Sequence, residues 1–399
     1  MVFSMTERQA VLREFTERYR RAGKKERGTI LDECVALCGY SRGYAGRRLR
    51  YLVLHGVTKH PGKRHRKATY GSETLIPLRT IWRLLDGLCG KRLAPYLPEI
   101  VPVLEAWGEL HLSEEARHKL LSLSPATIDR LLAGERRRYQ LRGRSGTKPG
   151  SLLRRQIPVR TFAQWDEGEP GFLEIDLVSH DGGSSRGDWI HSLDATDVYS
   201  GWTETRAVRN KAQRHVFAAL MDIRRHQPFP LRGLDSDNGA EFINAELSRY
   251  CQQEGLTFTR SRPYRKNDSC FVEQKNWTVV RKTVGYTRYD TEPELALMAE
   301  LYRSLRLYTN FFWPQMKLQE KTRTGARVSK RYDEAKTPYR RLLDSEHLGD
   351  TEKDALGREY ATLNPVALHR EINRLQDRLA QLTRLKEELR KREVRATGA

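Results

Sequence analysis

The stretch GFLEIDLVSHDG, Gly171–Gly182, marks the point at which this 399-residue chain changes its pattern. Helical periodicity dominates before it, whereas here apolar and polar residues alternate with the period of two that indicates a strand. Leu173, Ile175 and Leu177 share one face of that strand, and Asp176 lies on the other. A carboxylate inside a largely apolar strand costs free energy unless it is paired or bound to a cation. The stretch therefore predicts a sheet with a polar site on it.

The residues that follow extend this pattern to an α/β core with a mixed sheet. We predict strands and helices in the order βββαβαβα, the second and third strands being joined by a turn at Asp197–Gly201. Asp194 and Asp197 are interpreted as residues that form this turn. The catalytic core is predicted to span residues 166–310.

Two further carboxylates can meet Asp176 in such a core. Asp237 closes the fourth strand in LDSDNGAEF, and Glu273 lies on the last helix in CFVEQKNW. If the first and fourth strands are neighbours and the helix crosses them, three carboxylates converge, and their repulsion requires cations such as Mg²⁺ or Mn²⁺. Asp235 is the rival of Asp237 as a ligand, and Glu174 is predicted to support the ligands from the same strand.

The spacing of these motifs resembles a known signature. Thirty-five residues lie between Asp237 and Glu273. IDLV, SDNGAEF and VEQKN are together similar to the D,D-35-E signature of the retroviral-integrase and insertion-sequence transposase superfamily, and within it to the ISNCY-type transposases. The resemblance covers about residues 171–286. It implies an RNase H-like core with Asp176, Asp237 and Glu273 as catalytic ligands of two Mg²⁺ ions, which Mn²⁺ can replace.

The activity that the resemblance implies is phosphoryl transfer on DNA. A DDE transposase or integrase of this kind cleaves the 3′ ends of its mobile element and joins them to target DNA, as a homo-oligomer of two or more protomers. Asn276 and Arg281 share the helix face of Glu273 and are predicted to contact the DNA.

The amino-terminal half is predicted to bind DNA through helix-turn-helix units. The chain carries a formal charge of +21, and Ser41–Lys67 holds nine Lys and Arg with no acid, which indicates a polyanionic partner. Residues 1–67 form one predicted unit and residues 68–141 a second, followed by a basic linker at 142–165. The arginines predicted to contact DNA in these segments are Arg42, Arg47, Arg48, Arg50, Arg136, Arg137, Arg138, Arg142 and Arg144.

The carboxyl-terminal part is predicted to contain a small basic module at 311–362 and a helix at 363–395. Apolar residues recur on this helix at heptad spacing, which predicts a coiled coil with a second chain; packing on its own core is the alternative. They are Leu368, Ile372, Leu375, Leu379, Leu382 and Leu389.

Three functions remain open at this point. The first is the transposase that binds the terminal inverted repeats of its element and the target DNA. The second is an RNase H-type metal-dependent nuclease, and the third is a catalytically inactive DNA-binding regulator. The absence of an apolar run of about 18 residues predicts no membrane span, and five scattered cysteines predict a cytoplasmic protein, associated with the nucleoid.

Overall fold

The computed structural model describes residues 4–56, 69–138, 159–160, 168–236, 239, 241–242, 244–261 and 270–397. These residues fall into two compact units, which divide after Thr69. No helix in the described ranges is long and apolar enough to cross a membrane.

The first unit is a bundle of three helices. They are α1 (Met5–Arg21), α2 (Lys24–Cys38) and α3 (Arg42–His55). Gly39 ends α2 in the left-handed conformation with φ of 67°, and the Ser41 hydroxyl accepts a hydrogen bond from the Tyr44 amide at 3.3 Å. This glycine and this cap make the turn between α2 and α3 that the sequence predicts. Leu49 and Cys34 are buried in the core between the helices.

The second unit is built around a six-stranded mixed sheet. Its strands are β1 (Val159–Arg160), β2 (Phe172–Ser179), β3 (His191–Asp197), β4 (Thr203–Val208), β5 (Gly233–Ser236) and β6 (Thr257–Ser261). Their spatial order is β1-β6-β5-β2-β3-β4, with β2 antiparallel to β3 and parallel to β5. From β2 onwards this is the predicted mixed sheet of an RNase H-like core. Residues 159–160, within the predicted basic linker, pair in parallel with β6.

The helices of the core follow the predicted order βββαβαβα. They are α10 (Gln213–His226), α11 (Ala245–Gln253) and α12 (Cys270–Lys275), the last continued by a π-helical segment (Asn276–Arg281) and α13 (Lys282–Val284). α14 (Glu292–Phe312) then packs against β4. Its buried residues include Met298 and Phe311, so α14 completes one wall of the core.

Short helices precede the sheet and pack on the same core. They are α4 (Ser72–Leu84), α5 (Gly90–Leu93), α6 (Leu97–Ala106), α7 (Glu114–Leu121), α8 (Pro125–Leu131) and α9 (Ala133–Arg138). Leu78 and Ile81 belong to the same continuous apolar core as the sheet. The Tyr308 hydroxyl donates to the Leu84 carbonyl, and Arg92 Nε donates to the Pro314 carbonyl at 2.8 Å. The prediction of a separate second domain is therefore corrected, because these helices bury their apolar faces on the catalytic core.

The carboxyl-terminal elements are a hairpin and three helices. They are β7 (Leu318–Thr324), β8 (Arg327–Tyr332), α15 (Pro338–Leu343), α16 (Asp350–Ala361) and α17 (Pro365–Thr397). α17 packs against α14 of its own chain, where Ile372, Leu375 and Leu379 are buried. The coiled-coil prediction is corrected for this part of the heptad seam, because the core supplies the apolar partner. Leu389, at the far end of the seam, is 57% exposed.

Candidate active site

Asp176 lies in the middle of β2, the central strand of the sheet. β2 pairs with β3 so that Asp176 is opposite Asp194, and the described pairing with β5 ends at Ile175 and Ser236. That last pair is one residue before Asp176 on one strand and one residue before Asp237 in the chain. Asp237 itself lies outside the described residues. Asp176 accepts hydrogen bonds from the Leu177 amide at 2.8 Å and from Asn276 Nδ2 at 2.5 Å.

The helix that carries Glu273 lies along β2 and contacts it at two further points. At its beginning, the Val272 amide donates to Glu174 Oε2 at 2.9 Å. At its far end, Arg281 Nη2 donates to the Ser179 carbonyl at 2.8 Å. Together with the Asn276 contact, these bonds hold α12 and the π-helical segment along the strand from residue 174 to residue 179. The backbone of Glu273 belongs to α12, whereas its side chain lies outside the described part of the structure.

Two predictions about this helix change in the light of these contacts. Asn276 and Arg281 were predicted to contact DNA, but Asn276 donates to Asp176. Arg281 also donates to the Gly285 carbonyl at 3.2 Å and lies over the Tyr286 ring, 4.6 Å from its centroid. Burial lowers the pKa of the Arg281 guanidinium. In this structure both side chains bind the protein, and we assign them to holding the helix.

Glu174 and Asp235 are buried carboxylates next to Asp176. Glu174 has no exposed surface, and Asp235, its partner in the pairing of β2 with β5, is 1% exposed. Asp235 Oδ1 accepts a hydrogen bond from the Thr259 hydroxyl at 2.5 Å. Asp235, the rival ligand, is thus engaged inside the sheet, and Glu174 accepts from the Val272 amide on the helix that carries Glu273.

Asp194 and Lys275 are two buried ionisable side chains beside the site, a feature that sequence reasoning missed. Asp194 lies within β3, so its interpretation as a turn residue was wrong, whereas Asp197 does stabilise the turn through the Ser200 amide at 2.7 Å. Burial raises the pKa of Asp194 to about 7, and Lys275 opposes that shift. Burial likewise lowers the pKa of Lys275 to about 7.

The signal for this pair was present but weak. Asp194 alternates with apolar Leu193 and Ala195 in HSLDATD, which is the pattern of a strand and not of a turn. Lys275 follows Glu273 by two residues, and its Nζ donates to the Gly201 carbonyl at 3.3 Å. Only the pairing of β2 with β3 brings Asp194 opposite Asp176.

The predicted DNA-binding arginines differ in what they contact. In the first unit, Arg47 and Arg50 are exposed on α3 and Arg48 is half-buried, whereas Arg42 forms an ion pair with Asp32. The Arg50 Nε also donates to the Gly46 carbonyl at 3.1 Å.

The arginines at the end of α9 also include both exposed side chains and one that contacts the protein. Arg137 and Arg138 are exposed, but Arg136 Nη2 donates to the Leu88 carbonyl at 3.0 Å and pairs with Asp129 at 2.6 Å. Arg142 and Arg144 lie outside the described residues.

Comparison with known proteins shows which family this chain belongs to. Residues 166–266 match the model of the integrase core domain. Over 340 residues the chain is 44% identical to the uncharacterized protein y4rM of Sinorhizobium fredii, covering 85% of this chain and 95% of that protein. The chain belongs to the y4rM family. It carries an integrase core domain, the domain of the retroviral-integrase superfamily.

Other relatives of this y4rM-family protein are more distant. The Gag-Pro-Pol polyprotein of bovine leukemia virus is 29% identical over 109 residues, which are 27% of this chain and 8% of the polyprotein. The catalytic core domain of BIV integrase is 18% identical, with 44% of this chain and 95% of that one covered and a TM-score of 0.28. The HTLV-2 integrase catalytic core domain, solved with magnesium in a dimeric form, is 11% identical, with 36% and 89% covered and a TM-score of 0.28.

Proposed function

We propose that this protein is a DDE transposase of the ISNCY type. It binds the terminal repeats of its mobile element and catalyses metal-dependent cleavage of the 3′ ends and their transfer into target DNA. The observation that carries the proposal is the contact of Asn276 with Asp176. This contact brings the helix that carries Glu273 onto the strand that carries Asp176, and residues 166–266, which include that strand, match the integrase core domain.

The exposure of the carboxylates fits a metal site at Asp176. Four carboxylates are described near the middle of β2, β3 and β5, and three of them, Glu174, Asp194 and Asp235, are fully buried. Asp176 is half-buried and is the least enclosed of the four. Mg²⁺ prefers such oxygen ligands and keeps several waters. We assign Asp176, Asp237 and Glu273 as the residues that hold two Mg²⁺ ions.

The residues of the chain hold this site in place. When bound, two Mg²⁺ ions activate the attacking oxygen and stabilise the leaving oxygen of an in-line phosphoryl transfer. Asn276 and the Leu177 amide orient the Asp176 carboxylate. Glu174 fixes the beginning of the Glu273 helix through the Val272 amide. In the cleavage step water attacks the phosphodiester at the element end, and the 3′-oxygen leaves as a 3′-OH. This 3′-OH then attacks a target phosphodiester, whose own 3′-oxygen leaves, so that no serine or tyrosine nucleophile is required.

DNA recognition is assigned to the first unit and to the exposed arginines that precede the core. Arg47, Arg48 and Arg50 of α3, which follows the turn in the helix-turn-helix outline, supply the positive charge expected of a recognition helix. Arg137 and Arg138 are exposed at the end of α9. We propose that the active species on DNA is a homo-oligomer.

A joining assay tests this function. Short duplexes carrying the ends of the DNA that flanks the gene are incubated with supercoiled plasmid in Mg²⁺, Mn²⁺ or EDTA. Wild type, Glu273→Gln and Glu246→Gln are compared. Glu246 is a matched control, because it is an exposed carboxylate on α11 of the same domain. We expect joining in Mg²⁺ and Mn²⁺ by wild type and Glu246→Gln, and none by Glu273→Gln.

Two other outcomes would replace the proposal. Metal-dependent nicking without joining would identify an RNase H-type nuclease. Tight binding of the duplex with no product under any condition would identify a DNA-binding regulator. Equal joining by wild type and Glu273→Gln would remove Glu273 from the site.

A further inference from the structure

The β7–β8 hairpin adds no described side chain to the buried core. From Gln319 to Tyr332, every side chain that the structure describes is exposed, including Val328 and Tyr332 at 44% and 45%. A two-stranded hairpin without an apolar face against a core has little stability of its own. Its sequence is therefore not explained by packing within the described part of this chain.

The hairpin is strongly basic. Residues 319–332 contain five basic residues and the single acid Glu320. The register pairs Lys321 with Lys330, and like charges directly opposite each other on an antiparallel ladder are unfavourable. An anion bound along the hairpin would offset this excess of positive charge in its sequence.

The base of the hairpin is fixed to the catalytic core. The Lys317 amide donates to Asp333 Oδ1 at 2.6 Å, the Asp333 amide donates to the Lys317 carbonyl at 3.0 Å, and Arg341 pairs with Asp333 at 2.6 Å. Lys317 Nζ donates to the Tyr199 carbonyl in the turn after β3. Two residues further on, the Gly201 carbonyl of the same turn accepts from Lys275 on the Glu273 helix. The core therefore holds the hairpin in a defined position.

We propose that the β7–β8 hairpin is a DNA-binding ribbon that lies on duplex DNA and contacts its phosphates. A two-stranded ribbon fits the major groove of B-DNA, and Lys and Arg side chains on it neutralise backbone phosphates without reading the sequence. The partner is duplex DNA because the hairpin sequence carries five cations and one acid, and its described cations, Lys330 and Arg331, are exposed. This inference rests on the proposed function for its partner, but it concerns a surface separate from the carboxylate site.

Salt-dependent binding tests the ribbon without any catalysis. Binding of a fluorescent 30-base-pair duplex is measured by anisotropy in EDTA between about 50 and 200 mM salt. Wild type is compared with Lys330→Gln/Arg331→Gln. The control Arg358→Gln/Arg384→Gln removes the same charge from exposed positions on α16 and α17.

The expected change follows from counterion release. Each lost phosphate contact makes the plot of log K against log[salt] shallower by about 0.9, so the hairpin variant loses roughly 1.8 from the slope. At about 0.1 M salt this corresponds to a weakening of up to roughly 60-fold. The control keeps the wild-type slope and affinity, and the reversal Lys330→Glu/Arg331→Glu weakens binding further.

The possible results distinguish the proposal of a DNA-binding hairpin from the proposal of transposase activity. An unchanged slope and affinity in the hairpin variant would overturn the ribbon, as would a loss confined to single-stranded DNA or RNA of the same length. If the slope changes as expected but wild type joins no ends in Mg²⁺, the ribbon stands and the transposase fails. If joining proceeds and the slope is unaffected, the ribbon alone fails.

Discussion

The contact between Glu174 and the Val272 amide provides a direct test of how the catalytic helix is held. Glu174 has no exposed surface, and its Oε2 accepts from the amide that precedes Glu273, at 2.9 Å. Glu174→Ala removes the acceptor and leaves a buried N–H without this partner. Glu174→Gln is the matched control, because its side-chain amide oxygen still accepts the bond.

The size of the effect of Glu174→Ala follows from the free-energy cost of a buried N–H group without a hydrogen-bond acceptor. Leaving a buried donor unpaired costs about 1–3 kcal/mol. At about 1.4 kcal/mol for each factor of ten, this predicts that the beginning of α12 opens about 5- to 150-fold more often in Glu174→Ala. The same displacement misplaces Glu273, so that joining slows by at least a comparable factor. DNA binding is unchanged, because the contact lies inside the core.

Hydrogen exchange and joining measure the two effects independently. Exchange is followed by mass spectrometry in a peptide that covers residues 270–284, and joining is followed in the plasmid assay. We expect faster exchange and slower joining for Glu174→Ala, and nearly wild-type values for Glu174→Gln. If Glu174→Ala exchanged and joined as wild type does, the contact would not position the helix. A matching loss in Glu174→Gln would assign the effect to the negative charge and not to the hydrogen bond.

Three further predictions concern the site, the pH dependence and the last helix. Asp176→Asn lowers the rate of joining by at least about a thousandfold, because metal-bound carboxylates supply several kcal/mol of charge stabilisation. Duplex binding in EDTA stays intact. Retained joining in the plasmid assay would exclude Asp176 as a metal ligand. Burial lowers the pKa of His191 from 6.5 to about 4. The free energy of unfolding therefore falls by up to about 3 kcal/mol as the pH falls from 6.5 to 4. Urea midpoints of His191→Gln should depend less on pH in this window, and parallel pH profiles would contradict the assignment. Leu375→Ala lowers the free energy of unfolding by about 2–5 kcal/mol, because Leu375 is fully buried on α17. The control Leu385→Ala changes the unfolding midpoint little, because Leu385 is 58% exposed. Equal shifts in the two variants would refute the packing of α17 on the core.

Several parts of the site were outside the reach of sequence reasoning. Asp194 was assigned to the turn that follows it in the chain, yet strand pairing places it opposite Asp176. Arg281 was predicted to contact DNA from its helix face and Arg136 from its place in a run of arginines, although each donates to a backbone carbonyl of the protein. A charged side chain has the same sequence signal whether it faces solvent or an internal carbonyl, so its partner is decided by folding.

The sequence by itself determined the order βββαβαβα of the core and the position of Asp176 on the first of these strands. These features depend on local properties, such as hydrophobic period, turn residues and spacing along the chain. Tertiary structure alone decided that α17 packs on α14, that residues 70–138 share the core, and that Glu174 holds the Glu273 helix. Each of these joins segments far apart in the chain, where burial and hydrogen bonding depend on which surfaces meet. A local pattern specifies an apolar or charged face, and only the folded chain supplies its partner.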